Sequence, residues 1–156
     1  MSGMSGMSGI EWHDFAFAGM TSAQLYAVLS LRSEVFVVEQ ACIFQDLDGA
    51  DLQAVHVLGT IGSMVVAYAR CFQAGIKFQE SSIGRVVIRR SERGRGAGHA
   101  VMEKSIACLF RRWGSQAIRI GAQAHLENFY RQHGFESTAI AYCEDGIDHI
   151  EMLRSV

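Results

Sequence analysis

The run Arg93-Gly94-Arg95-Gly96-Ala97-Gly98 constrains this chain more than any other feature of its sequence. It follows Ser82 to Ile88, a stretch rich in β-branched residues. It precedes a segment from about Gly98 to Trp113 in which Val101, Met102, Ile106, Leu109, Phe110 and Trp113 recur at helical spacing. The order is strand, glycine turn, helix. A helix N-terminus carries unpaired N–H groups and a partial positive charge, so a glycine turn leading into one suits phosphate. Gly94, Gly96 and Gly98 free the backbone and let a ligand come close, while Arg93 and Arg95 add charge. A dinucleotide GxGxxG would need glycine where His99 stands, and no GxxxxGK[ST] occurs, so dinucleotide and nucleoside-triphosphate folds lose most of their support. The plain alternative is a surface turn with no ligand.

The rest of the chain places this turn in a larger pattern. Glu11 to Phe17 alternates as a first strand, and Thr21 with Gln24 forms a capping box opening a helix to about Phe36, with Leu25, Val28, Leu29, Val35 and Phe36 as its buried face. Periodicity is lost from Val37 to Gln53, where Asp46, Asp48, Gly49 and Asp51 accumulate in a long loop. Val55 to Leu58 and Met64 to Phe72 read as a hairpin around Gly59 and Gly62. Beyond the long helix come a strand at Ala117 to Ala122, a short helix at Leu126 to Gln132 ending near Gly134, and a hairpin of Glu136 to Cys143 with Ile147 to Leu153 about Asp145-Gly146.

Size and composition set the outer limits. At 156 residues with 49% hydrophobic content, one domain with a sizeable core is expected. A net charge of -2 argues against nucleic acid as a partner. The charge is unevenly spread: Arg85, Arg89, Arg90, Arg93 and Arg95 cluster, whereas residues 1 to 60 hold seven acidic groups and only Arg32 as a base. Cys42, Cys71, Cys108 and Cys143 form no CxxC pair and read as free thiols in a reducing compartment. With no bilayer-length apolar run and no signal-peptide pattern, a cytoplasmic protein with no membrane contact is expected. The MSG repeat makes residues 1–9 a disordered leader or cloning remnant, leaving 10–156 as the domain.

The motif Arg93-x-x-Gly96-x-Gly98 is similar to the [QR]xxGx[GA] signature of the GNAT superfamily of N-acetyltransferases, and Tyr130-Arg-Gln-His-Gly134-Phe135 resembles that family's Y-x-x-x-G-F element. The resemblance narrows to the ElaA-like subfamily. It is carried by Leu31-Arg32, Val35-Phe36-Val37-Val38-Glu39-Gln40, Gln45-Asp46-Leu-Asp48 with Asp51 and His56, Ala122-Gln123-Ala124-His125 and Glu144 to Met152. It implies an α/β (α+β) fold: a single mixed central β-sheet flanked by helices, in element order β-α-α-β-β-β-α-β-α-β-β. In it a splayed strand, Val86-Val87-Ile88, precedes the pyrophosphate-binding turn and helix. It implies acetyl-CoA as cosubstrate, held by Val86, Val87, Ile88, Arg93, Gly94, Arg95, Gly96, Ala97, Gly98, Gln123 and Tyr130. Gln123 stands where the superfamily commonly has asparagine.

Transfer of an acetyl group from a thioester to an amine needs a neutral amine, a polarised carbonyl and a proton for the thiolate. An alkyl ammonium titrates near ~10.4, so a proton acceptor is required. Glu39, His56, His149 and Glu151 are the candidates, with Glu39 and His149 read as catalytic and Arg32, Glu39, His56 and Glu151 as acceptor contacts. Backbone N–H groups at Val87 or Ile88 would polarise the carbonyl. Tyr130 is the family's usual proton donor to the thiolate; packing beside Phe129 and Phe135 is its alternative. Arg32, if buried, needs a partner, for which Asp46 or Asp48 is placed. The acidic loop is read either as solvated surface or as an attraction for a cationic acceptor. Asp46-x-Asp48-Gly49 hints at a calcium loop, but Ala50 and Val57 occupy positions that need ligands, and no histidine pair has zinc spacing, so no metal is expected. The function implied is direct acetyl transfer to a primary amine, a small molecule such as a polyamine or a peptide, with a homodimer as the candidate assembly. The alternatives are a longer acyl donor, since Arg32, Phe36, Asp46 and Asp48 loosely resemble acyl-homoserine lactone synthases, or a non-catalytic acyl-CoA-binding module.

Overall fold

Two antiparallel half-sheets meet at a single point and part from there, and this defines the molecule. The computed structural model describes residues 9–156, so the leader assignment falls, except for Gly9, outside the described residues. Strands β1 (Glu11–Ala16), β2 (Val55–Ile61), β3 (Met64–Phe72) and β4 (Ser82–Ile88) form the first half-sheet in that order. Strands β5 (Ile118–Gln123), β6 (Glu136–Glu144) and β7 (Ile147–Arg154) form the second, in the order β5-β7-β6. The single mixed sheet expected from the sequence is realised by one parallel bridge, Ser81 to Ile118, with the Arg119 N–H donating to the Ser81 carbonyl at 2.9 Å.

Helices cover both faces of the first half-sheet, whose central strands β2 and β3 are buried on both sides. Helix α1 (Ser22–Arg32) begins with the expected capping box: Gln24 N–H donates to the Thr21 hydroxyl at 3.0 Å and Thr21 N–H to the Gln24 side chain at 2.9 Å. Its buried stripe is Val28, Leu31 and Arg32, continuing to Val35, and it packs on Leu58, Val65, Tyr68 and Val87. Helix α2 (Ala97–Trp113) covers the other face, burying Val101, Met102, Cys108 and Leu109 against Val55, Val57, Ala69, Cys71 and Ile83. Each fully buried Val, Leu or Met contributes roughly 1.5–3 kcal/mol, so these stripes fix both helices on the sheet. Helix α3 (Glu127–Arg131) is short and anchors through Tyr130, which packs edge-on to Phe135. Cys42, Cys71 and Cys108 are buried and Cys143 is exposed, all as free thiols.

Three features depart from the sequence reading. The first helix does not run uniformly to Phe36: from Ser33 to Glu39 it winds as a π-helix, with Cys42 N–H reaching back to the Val37 carbonyl at 3.0 Å. Gly59 lies inside β2 at a register shift, and the turn falls at Gly62. β4 is bulged, so that Ala69 of β3 faces both Arg85 and Val86, and Arg85 takes φ of 49°, in the left-handed region.

Candidate active site

A cleft of about 620 Å3 opens where β4 and β5 diverge. Val86, Val87 and Ile88 form one wall, Ile120, Gly121 and Gln123 the other. Arg93, Gly98, Phe129 and Tyr130 close one end, while Phe36, Glu39, Cys42 and Phe44 from the π-helix and its loop face Tyr142, Ile147 and His149 from the last hairpin.

The phosphate turn has the conformation its glycines allow. Gly94 and Gly96 take φ of 82° and 84°, and Gly96 is the N-cap of α2 with no side chain capping the first turn, so the leading N–H groups remain available. Arg95 extends from the turn, 64% exposed in its side chain and 3.6 Å from Glu92. Arg93 is engaged: its Nε donates to the Ile88 carbonyl at 3.0 Å, and its two Nη groups grip Glu39. Arg89 N–H donates to the Val66 carbonyl at 2.7 Å, and ladder alternation then turns the N–H and C=O of Ile88 away from β3 toward the opening. That Ile88 carbonyl is the one Arg93 takes. Of Val87 and Ile88, the two candidates for polarising a carbonyl, only Ile88 presents its N–H to the cleft.

Three of the titratable groups lining the cleft are the ones the sequence marked as proton carriers: His149, Tyr130 and Glu39. His149 is half-buried, and its Nδ1 lies 2.8 Å from the Ile147 carbonyl, which can only accept. Nδ1 therefore carries hydrogen, and in the neutral ring Nε2 holds a free lone pair. Tyr130 is buried, its hydroxyl makes no hydrogen bond among the described residues, and burial pushes it up to about 12. Glu39 lines the cleft too, but the paired hydrogen bonds from Arg93 hold its carboxyl below the usual range, which weakens it as a proton acceptor.

The remaining acceptor-site expectations are corrected by burial and internal pairing. Arg32 sits on the buried stripe of α1 and is fully buried, donating to Asp46 at 2.9 Å and Asp51 at 2.7 Å. The partner predicted at Asp46 is present; Asp51, rather than Asp48, is the second. His56 faces α1 from β2 and is also fully buried, its Nε2 donating to the Asp51 carbonyl at 2.9 Å and its Nδ1 accepting from the Tyr68 hydroxyl at 2.5 Å. Burial pushes its pKa down, so the ring is neutral. Glu151 lies outside the cleft wall and bonds Arg119 at 2.8 Å. The acidic loop is neither solvated surface nor a lure for cations. Asp51 also receives Arg70 at 3.0 Å, Asp48 binds Arg70 and Lys77, and Asp46 binds Arg85 at 2.8 Å. Asp14 pairs with Arg111 and Arg112, and Glu34 with Arg89. The acidity of the first half is thus spent within the fold and gives no reason to favour a polycationic acceptor.

Sequence reasoning missed Tyr142, Gly121 and the aromatic residues Phe44 and Phe78 of the cleft. Tyr142 was within reach: a two-residue turn at Asp145-Gly146 pairs Glu144 with Ile147 and so sets Tyr142 opposite His149, as observed.

Comparison with known proteins agrees with this geometry. Residues 53–156 match the acetyltransferase (GNAT) domain family. The chain is 42% identical over 149 residues to the protein ElaA of Escherichia coli, covering 94% of this chain and 97% of that one. The crystal structure of E. coli ElaA superposes with a TM-score of 0.87 at 41% identity, covering 94% of this chain and 99% of that one. An acyl-CoA N-acyltransferase from Pseudomonas aeruginosa superposes with a TM-score of 0.89 at 38% identity and the same coverage. A GNAT family acetyltransferase from Elizabethkingia anophelis, solved with acetyl-CoA bound, shares the fold at 13% identity with a TM-score of 0.68, covering 96% of this chain and 99% of that one. Splayed strands, phosphate turn and these relatives lead to one assignment: the chain belongs to the GNAT acetyltransferase family, in its ElaA branch.

Proposed function

We propose that the protein is an acetyl-CoA-dependent N-acetyltransferase that moves an acetyl group directly onto a primary amine, with no covalent enzyme intermediate. The observation that carries this reading is the opening between β4 and β5, which starts at the Ser81–Ile118 bridge and widens toward an uncapped helix N-terminus. A diphosphate suits the free N–H groups of residues 96–99 and the Arg95 guanidinium. An amide-bearing arm suits the unpaired N–H of Ile88 and the Gln123 side chain. The relative from E. anophelis binds acetyl-CoA on this fold. When bound, acetyl-CoA supplies an activated acetyl group on a sulfur leaving group.

The chain's own groups then divide the work. As the amine nitrogen forms its bond to carbon it sheds a proton, and His149 Nε2 accepts it. The Ile88 N–H stabilises negative charge on the carbonyl oxygen. A thiol titrates near ~8.5, so full proton transfer to sulfur from a tyrosine at about 12 would be uphill by about 5 kcal/mol. Tyr130 therefore acts as a hydrogen-bond donor to the departing sulfur, not as its proton source, which refines the role the resemblance implies.

The test is release of free CoA from acetyl-CoA, read with a thiol-reactive dye across a panel of primary amines, alongside thermal protection by acetyl-CoA. Amine-dependent release, lost in His149→Gln, is expected. Acetyl-CoA that neither protects the protein nor is consumed with any amine would overturn the proposal.

A further inference from the structure

The second half-sheet presents a row of side chains to the cleft, and the row contains a residue to which no role has been assigned. Register sets Gln123 of β5, His149 of β7 and Tyr142 of β6 abreast, so all three share one face. Gly121 lies on that same face, two residues before Gln123. The Tyr142 ring stacks on the His149 imidazole with centroids 5.3 Å apart and planes at 20°. Its hydroxyl reaches on to Gly121, where an added Cβ would collide with the Tyr142 oxygen and lie 3.5 Å from ring carbon Cζ. Gly121 is not among the glycines with positive φ, so its backbone would accept alanine; what excludes a side chain there is the tyrosine. The hydroxyl makes no hydrogen bond among the described residues, so shape alone seats it. Around the stack the charged groups are Glu144 on β6, Glu151 on β7 and Arg119 on β5, the last two paired with each other.

We infer that Tyr142 is a positioning residue that holds the His149 imidazole with Nε2 in the cleft, and that Gly121 is the socket in which the Tyr142 hydroxyl seats. The bond from Nδ1 to the Ile147 carbonyl fixes one atom of the imidazole but leaves the ring free to tilt about that bond. A flat partner stacked on its face removes the tilt. Displacement of a reacting group by about 1 Å is enough to slow a reaction on the order of a hundredfold. The inference rests on the proposed role of His149 as proton acceptor.

The test is a rescue. Gly121→Ala forces the hydroxyl out of its socket. It is expected to lower kcat on the order of 10–100-fold, with KM for acetyl-CoA within about twofold, and to shift the acid limb of the kcat/KM profile that reports His149. Adding Tyr142→Phe to Gly121→Ala removes the oxygen that the Cβ meets and leaves a contact of ordinary length; it is expected to recover at least about tenfold of the loss and to return the acid limb. A double variant no faster than Gly121→Ala would overturn the inference, because the methyl group would then be obstructing the cleft itself. Undiminished turnover in Gly121→Ala would overturn it as well. If Gly121→Ala does not fold, Tyr142→Leu, which keeps the socket and removes the stack, carries the same expected loss of kcat, and unchanged kcat overturns the inference. Full activity of His149→Gln would instead remove the reading of His149 on which the inference rests, whatever Gly121→Ala does.

Discussion

Asp51→Asn tests the buried ion network at the residue where it is most tightly shared. The Asp51 carboxylate receives Arg32 at 2.7 Å and Arg70 at 3.0 Å, and both arginines are nearly inaccessible to solvent. Asparagine keeps the shape and removes the charge. Arg32 would then depend on Asp46 alone among carboxylates, and Arg70, whose Nε already lacks a partner, on Asp48. Removing one partner of a buried pair costs roughly 3–5 kcal/mol, and because each arginine keeps a second carboxylate the lower end, about 3 kcal/mol, is expected. That is a large share of a stability of about 5–15 kcal/mol, and at about 2–4 °C per kcal/mol it lowers Tm by about 6–12 °C. Asp48→Asn is the control. Its side chain is 27% exposed and Arg70 keeps Asp51, so a loss below about 1.5 kcal/mol is expected. The assay is urea denaturation with calorimetry on both variants. Burial works against ionisation of Asp51, but the hydrogen bonds and charges of Arg32 and Arg70 hold its folded pKa below the ordinary value. The stability it supplies is therefore present above the unfolded pKa near ~3.9 and lost as pH falls toward the folded one. The gap between wild type and Asp51→Asn should stay constant from about pH 8 to 5 and close only below about 4. A loss under about 1 kcal/mol, or a larger one in Asp48→Asn, would refute this account of the network.

Four further outcomes are expected. Tyr130→Phe removes a hydrogen bond to a charged sulfur worth about 1.5–3 kcal/mol, so kcat should fall roughly 10–150-fold with KM for acetyl-CoA little changed; equal turnover would remove Tyr130 from the reaction. Gly96→Val strains a residue at φ of 84° by about 1–2 kcal/mol and disturbs the turn, so thermal protection by acetyl-CoA should be lost while the apo protein still folds, which a thermal melt with and without acetyl-CoA reads directly. Glu39→Gln should leave the acid limb of the kcat/KM profile in place, because Arg93 already holds Glu39 ionised; disappearance of that limb would make Glu39 the proton acceptor. His56 is kept neutral by burial, so the unfolded chain takes up a proton below ~6.5 that the folded one refuses. Unfolding free energy should fall with pH there by up to ~1.4 kcal/mol per unit, a slope to which His133, also lowered by burial, adds; the same slope in His56→Gln would refute the assignment.

Local signals made most of the fold legible. The capping box at Thr21, the β-branched run before the arginine-glycine turn and the Asp145-Gly146 turn each specify an element through contacts of a few residues, and each element is found where expected. Facing was harder, because a β-strand buried on both sides has no polar side to read. Every residue of β2 from Val55 to Leu58 is buried, so nothing in the sequence distinguishes the face that carries His56 toward α1 from the one that meets α2. The same holds for Arg32: its place beside Leu29, Val35 and Phe36 left burial open, and only tertiary pairing with Asp51 and Asp46 shows why a charge is tolerated inside. The π-helical turn and the left-handed Arg85 left no trace in residue type, since both are imposed by packing and not by propensity.

That left-handed residue gives the ion network its connection to the cleft. An L-residue with φ of 49° inside a strand is held at a cost of about 1–2 kcal/mol, so something outside the local chain must favour it. Arg85 is anchored at its far end: Nε donates to Asp46 at 2.8 Å and Nη2 to the Asp46 carbonyl at 3.0 Å, while Asp46 is itself fixed by the buried Arg32. The chain of contacts runs from α1 through the loop to the bulge of β4, the strand that must turn away from β5 for the cleft to exist. Arg32, Asp46 and Arg85 thus bear on the shape of β4, and through it on the cleft. Of the three cleft groups read as proton carriers, His149 and Tyr130 stand outside any ion pair among the described residues, whereas Glu39 is held by Arg93.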